Sequence, residues 1–180
     1  PGLGIAGGNL ERDLATVIRM SEAVGSDADV VRAWVTNSRH RRDWAARTIR
    51  AVLLDQNPDA RIAVWGLAYK ENTHSVKNSP SLATLGQIKD ADVILHDPVV
   101  PASAAGHPSS TAAANPLDAI RGADALMILT PWPAYKEIAP SEIADALKGT
   151  IVLDPYAVLD LRDARSAGLA YYTLGRSSTV

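Results

Sequence analysis

RIAVWGLAYK, residues Arg61–Lys70, decides the fold. Ile62 to Trp65 run apolar without a polar alternate, Gly66 turns the chain, and a loop bearing Tyr69 and Lys70 follows. A strand with no polar face is buried on both sides, as happens in a parallel sheet covered by helices. The pattern recurs in ADVILHDP (91–98), ADALMILTP (123–131) and TIVLDP (150–155), with a short last strand over 170–174. Between the strands, SPSLATLGQIK reads as a helix, and further helical segments are expected over 117–121, 135–147 and 158–166. The Pro-bearing stretch of small residues from Pro101 to Asn115 reads as a mobile loop. Strands alternating with helices predict a doubly wound, Rossmann-like α/β sheet, and ligands of such sheets bind beyond the carboxyl ends of the strands. Those ends are Gly66–Lys77, His96–Pro98, Thr130–Trp132 and Asp154–Tyr156.

Upstream of the Asn57-Pro58 break the period is helical. No Gly or Pro interrupts residues 29–56, which predicts one long helix of about 28 residues, on the order of 40 Å. Val31, Val35, Ser38, Arg42, Ala45, Ile49 and Val52 share one face of it. So long an apolar stripe exceeds what a small domain covers by itself, and predicts a homodimer through the long helix. The polar residues Ser38 and Arg42 inside the stripe either set a dimer register or face a ligand, register being the commoner use. Ahead of it, PGLGIAGG forms a glycine-rich loop that feeds a helix, with Asn9 as its N-cap and Glu11 and Asp13 in the turns where the helix dipole favours acids. Such a start is either a tight capped turn or an anion-attracting terminus. The chain thus divides into helices over 1–57 and a sheet domain over 58–180.

Composition closes several routes. The net charge of −2 lacks the footprint of a nucleic-acid binder. The absence of cysteine removes disulfides and thiol nucleophiles and is compatible with a reducing compartment, hence a cytoplasmic setting. No apolar run approaches the ~20 residues that span a bilayer, so no membrane partner is expected. The four histidines are scattered without ligand spacing, so no metal is expected. Pro1 reads as an internal cut or a processed start. The first strand ends in Gly66-Leu67-Ala68-Tyr69-Lys70 and not in GxGxxG, so no cofactor-binding residue is assigned in this sheet. Lys70 is either a donor to a phosphate or base carbonyl, with Tyr69 as a stacking surface, or a solvated lysine beside a half-buried tyrosine.

Taken together, these stretches resemble the C-terminal portion of the UDP-glucose/GDP-mannose dehydrogenase family. PGLGIAGGNLERD is similar to its catalytic loop PGxGxGGxCxxKD, WGLAYKENTHSVKNSPSL to its GxAxKxxTDDxRxSP loop, ILHDP to its second-strand YDP, and ALMILTPWPAYKEI to its TxWxxF segment. The resemblance implies central dimerisation helices and a UDP- or GDP-sugar-binding domain, with NAD held on an N-terminal domain outside this chain. It implies an NAD-dependent oxidoreductase that takes a nucleotide sugar towards its uronic acid for polysaccharide biosynthesis, and a chain inactive when alone. The alternative is a non-catalytic nucleotide-sugar-binding or dimeric assembly homologue.

By the same resemblance, Asn9, Arg12 and Asp13 occupy the catalytic positions, and Gly7, Gly8, Asn37, Tyr69, Lys70, Lys77 and Tyr156 the substrate-binding ones. The departures concentrate on the chemistry. Asn9 stands at the nucleophilic Cys, Ala6 at a glycine, Arg12 at a Lys, His74 and Ser75 at two Asp, Lys77 at an Arg and Tyr156 at a substrate-binding Arg, while Gly175-Arg176 keeps the closing GR. An amide cannot form the thiohemiacetal and thioester that a thiolate supports, so an altered oxidation cycle is expected.

Overall fold

A computed structural model describes residues 2–176. Its helical half opens with the glycine-rich loop and α1 (Leu10–Ala23), then α2 (Asp29–Arg42), α3 (Trp44–Ile49) and a π-helical turn over Arg50–Leu54. The expected long helix is therefore interrupted once. Asp43 lies between α2 and α3 with ψ near −3°, yet its N–H still reaches the Arg39 carbonyl and its own carbonyl accepts from Arg47, so the axis continues through the break. The basic run Arg39–Arg42 falls in the last turn of α2, where the dipole favours cations.

The sheet half follows as β1 (Arg61–Trp65), α4 (Pro80–Gln87), β2 (Asp92–His96), β3 (Ser110–Ala112), α5 (Pro116–Ile120), β4 (Ala125–Ile128), α6 (Pro133–Lys136), α7 (Pro140–Ala146), β5 (Ile151–Leu153), α8 (Leu161–Ser166) and β6 (Ala170–Tyr172). All pairings are parallel in the order β3-β2-β1-β4-β5-β6, with Ala63 beside Ile94 on one side and Leu126 on the other. This is the doubly wound order, with its switch point between β1 and β4. Ile62–Trp65 and Ala125–Ile128 are wholly buried, as their unbroken apolar runs demand. Helix starts explain themselves locally: Ser79, Asn115 and Asp160 accept backbone N–H groups at α4, α5 and α8, and proline opens α4 to α7.

Two local readings are corrected. The stretch Pro101–Asn115 is not loop throughout: a 3-10 turn over Ala102–Ala105 leads to the edge strand β3. The segment 135–147 is two helices and not one, because Pro140 has no N–H to continue the first and instead starts the second. Among the described residues no helix is long and apolar enough to cross a membrane, and no group of three or more His, Asp or Glu side chains is placed to hold a metal.

Candidate functional site

The glycine-rich loop lies across the carboxyl edge of the sheet, and each of its glycines marks a close approach. A Cβ on Gly2 would fall 2.8 Å from the Tyr156 ring, one on Gly7 3.1 Å from the Tyr69 ring, and one on Gly8 2.5 Å from Lys77 Cε. Gly4, at φ +79°, sits where a Cβ would meet the Ser38 carbonyl at 2.4 Å, and the next residue, Ile5, donates its N–H to Ser38 Oγ at 2.7 Å. Thus α2 grips the loop at Gly4–Ile5, while the strand-edge loops support it at Gly2, Gly7 and Gly8. Ser38 is turned to the chain's own loop, a contact that neither the register nor the ligand-facing reading anticipates.

Tyr156 acts as a strut. Burial pushes its phenol up to about 12, against the pull of a hydrogen bond from the Leu3 N–H, and Glu71's charge adds to the rise. The turn that presents it hangs on Asp154, which is wholly buried and accepts from the Tyr156 and Leu159 N–H groups and from the Tyr171 hydroxyl at 2.7 Å. Burial raises the Asp154 carboxyl above the usual range despite these donors.

The turn after β1 is organised by Asp97. Its carboxylate accepts from the N–H of Leu67 (2.6 Å), Ala68 (3.0 Å), Val99 (3.0 Å) and Val100 (2.9 Å) and from Trp132 Nε1 (3.1 Å). Burial opposes the charge, but the four backbone donors together hold the carboxyl below the usual carboxylate range. Gly66, at φ +98°, lies so close to Thr130 that a Cβ would come 2.4 Å from its Cβ, and Thr130 Oγ1 donates to the Ala68 carbonyl at 2.7 Å. A dinucleotide pyrophosphate needs free amides in this turn, whereas here Asp97 has taken those of Leu67 and Ala68. NAD does not fit the turn. Sequence reasoning missed Asp97 as an organiser, although the HDP of ILHDP was its signal.

The structure brings together only part of the expected set. Gly7, Gly8, Tyr69 and Lys77 meet at the start of α1, and Lys70 is exposed with Nζ 5.7 Å from the Tyr69 ring centroid. Asn37 lies on the other flank of the loop, exposed in an open cleft of about 330 Å³ with Trp34, Arg41, Gly2, Gly4 and Ile5. Arg12 and Asp13 point to solvent and pair with each other at 3.0 Å. Asn9 occupies the cap position without capping: its φ of −96° and ψ of −60° are already helical, so the side-chain oxygen takes no backbone N–H.

The family described as "UDP-glucose/GDP-mannose dehydrogenase family, UDP binding domain" matches residues 63–161, over half of the chain. The UDP-glucose 6-dehydrogenase of Pseudomonas aeruginosa is 27% identical over 184 residues, covering 97% of this chain and 41% of that protein. That of Rattus norvegicus is 28% identical over 197 residues, covering 97% and 40%. Among solved structures, a UDP-D-ManNAc dehydrogenase from Pyrococcus horikoshii superposes with a TM-score of 0.80 at 22% identity, over 99% of this chain and 40% of that one. A UDP-glucose dehydrogenase from Pyrobaculum islandicum gives 0.72 at 24%, over 94% and 38%. These superpositions show the shared fold. The chain spans about 40% of the length of the curated relatives it matches, and it belongs to the UDP-glucose/GDP-mannose dehydrogenase family.

Proposed function

We propose that this family member is the nucleotide-sugar-gripping part of an NAD-dependent nucleotide-sugar 6-dehydrogenase, with the hydride acceptor held on a portion of the protein outside this chain. The observation that carries the reading is the convergence of Gly7, Gly8, Tyr69 and Lys77 where the glycine-rich loop crosses the strand ends. Tyr69 offers a ring face for a base or sugar, while Lys70 and Lys77 supply the charge that a diphosphate requires. Asn37, on the far flank, and Tyr156, beneath Gly2, complete the proposed substrate set, Tyr156 through the loop that it supports. The catalytic positions are Asn9, Arg12 and Asp13. With an amide where a thiolate nucleophile would stand, the proposed product is the aldehyde or its hydrate unless another nucleophile serves, and Asp13 is the general base available to activate water.

The proposal divides the chain into 1–57, loop and helices, and 58–180, the sheet domain, and places it in the cytoplasm. A homodimer is part of it, supported by Leu10, Val17, Met20, Val24, Val30 and Trp34, which stand exposed on and beside α1 and α2. A second reading, a non-catalytic binding or assembly homologue, is favoured by one observation: Arg12 and Asp13 are spent on each other at the surface.

Titration calorimetry of this chain with UDP-glucose, GDP-mannose and NAD tests the binding claim. One nucleotide sugar is expected to saturate, with affinity lowered about tenfold in Lys77→Ala. Saturable NAD binding would contradict the assignment. For the whole protein, one NADH per UDP-sugar is expected; two, with uronate as product, would overturn the role given to Asn9.

A further inference from the structure

The glycine loop and the Lys77 loop are joined by one side chain that neither the family resemblance nor the proposed site uses. Asn78 Nδ2 donates to Glu11 Oε2 in the first turn of α1, and Asn78 Oδ1 accepts from Arg42 Nη1, at the end of α2, at 3.4 Å. Three segments therefore meet on one amide: the start of α1, the end of α2 and the loop that carries Lys77. The chemistry of the neighbours fixes the amide's direction, since a carboxylate only accepts and a guanidinium only donates.

Position 78 also meets a backbone demand, because its φ of +49° lies in the left-handed region that Asn tolerates better than most residues. Glycine would meet that demand without any amide, and Asp would meet it as an acceptor only. Asn satisfies both. Arg42 confirms where the constraint falls. Its Nε is buried without a hydrogen bond, 4.0 Å from Asp43 Oδ1, and that oxygen is already taken by Gln87 Nε2 from the end of α4 at 2.9 Å. The guanidinium reaches to Asn78 and leaves Nε unpaired, a pattern that calls for an explanation in a well-satisfied structure.

We infer that Asn78 is a positioning residue: its amide latches the start of α1 to the end of α2 and thereby sets the gap between Gly8 and the neighbouring Lys77. The consequence for ligand binding rests on the function proposed above; the latch itself does not. Asn78→Asp sets a carboxylate against Glu11 and opens the latch. Adding Glu11→Gln closes it again, because the new amide donates to the new carboxylate, which still accepts from Arg42. Asn78→Gly keeps the backbone conformation and removes both hydrogen bonds.

Amide hydrogen exchange followed by mass spectrometry, with UDP-glucose titration on the same samples, separates the possibilities. Exchange over residues 4–13 is expected to rise about tenfold in Asn78→Asp and in Asn78→Gly, with the strand segments unchanged. The Asn78→Asp/Glu11→Gln pair is expected to return to within about threefold of the parent chain, and UDP-glucose affinity to fall and recover in parallel. A double variant no better protected than Asn78→Asp, or an Asn78→Gly chain that exchanges like the parent, would overturn the latch. Failure of the parent chain to bind UDP-glucose would count against the proposed function, while the exchange comparison would still decide the latch.

Discussion

The two halves of the molecule solve burial differently. In the sheet half, β1 and β4 vanish into a core that also stacks Trp65 on Tyr135 at 4.9 Å, and Val99 is its exposed large apolar residue among those described. In the helical half, Leu14 is buried on α1 while Leu10, Val17, Met20 and Val24 around it are exposed, and Val30 and Trp34 on α2 follow suit. The sheet is closed by its own helices together with α3 and the π-helical turn, whose Ala45, Ala46, Ile49 and Leu54 lie in the same core. The helices α1 and α2, by contrast, leave an apolar face uncovered, the face that the proposed homodimer would bury, and they join the sheet through α3 and the glycine loop.

That contrast breaks most sharply at Gly66. Gly66→Ala combines a Cβ clash with Thr130 and a φ of +98°, and is expected to cost about 3–5 kcal/mol by urea denaturation. A cost under about 1 kcal/mol would show that the close Gly66–Thr130 approach does not constrain the fold. Asp97→Ala comes next, at about 3 kcal/mol, since it strands up to five donors at once. Because the folded-state pKa of Asp97 is lowered, its stabilisation is fully present above the ordinary carboxylate pKa and lost as pH falls through the lowered value. Asp154 runs the other way. Its pKa is raised, so its contribution is greatest below the ordinary value and declines as pH rises through the raised one. Denaturation midpoints measured in Asp97→Asn and Asp154→Asn against pH should diverge from the parent's with opposite slopes.

Where the halves meet, Gly4→Ala is expected to lose about 2 kcal/mol and Ser38→Ala about 1, read as increased exchange of the loop while the strands stay protected. The smallest effect falls on the uncovered face. Met20→Glu and Val24→Glu are expected to change folding stability by under ~0.5 kcal/mol, because both residues already face water. The same changes should lower the mass seen by light scattering if that face joins two copies.

The legibility of the sequence follows the same division. β1, β2, β4 and β5 were readable because burial on two faces leaves an unbroken apolar run at the heart of each, and the edge strand β6 from its short apolar stretch near the end of the chain. β3 was not, since Ser110, Thr111 and Ala112 are small, exposed and paired only with β2, so no hydrophobic signal marks them. The interruption at Asp43 also left no trace, for no Gly or Pro is involved. At the site, the glycines pointed to a close-approach loop, but which side chains they approach is a tertiary fact: Ser38 and Tyr156 lie 34 and 154 positions from the glycines they face. Asp97 stood in plain view as part of ILHDP, and its five donors come from three separate turns that only folding assembles.

A titration of isotopically labelled chain with UDP-glucose, followed by backbone amide chemical shifts, tests the proposed nucleotide-sugar binding directly. Saturable perturbations are expected at Gly7, Gly8, Tyr69, Lys70 and Lys77, with none on adding NAD. Perturbations confined to the groove around Asp160, Arg162 and Arg176, or a response to NAD at the turn after β1, would contradict it.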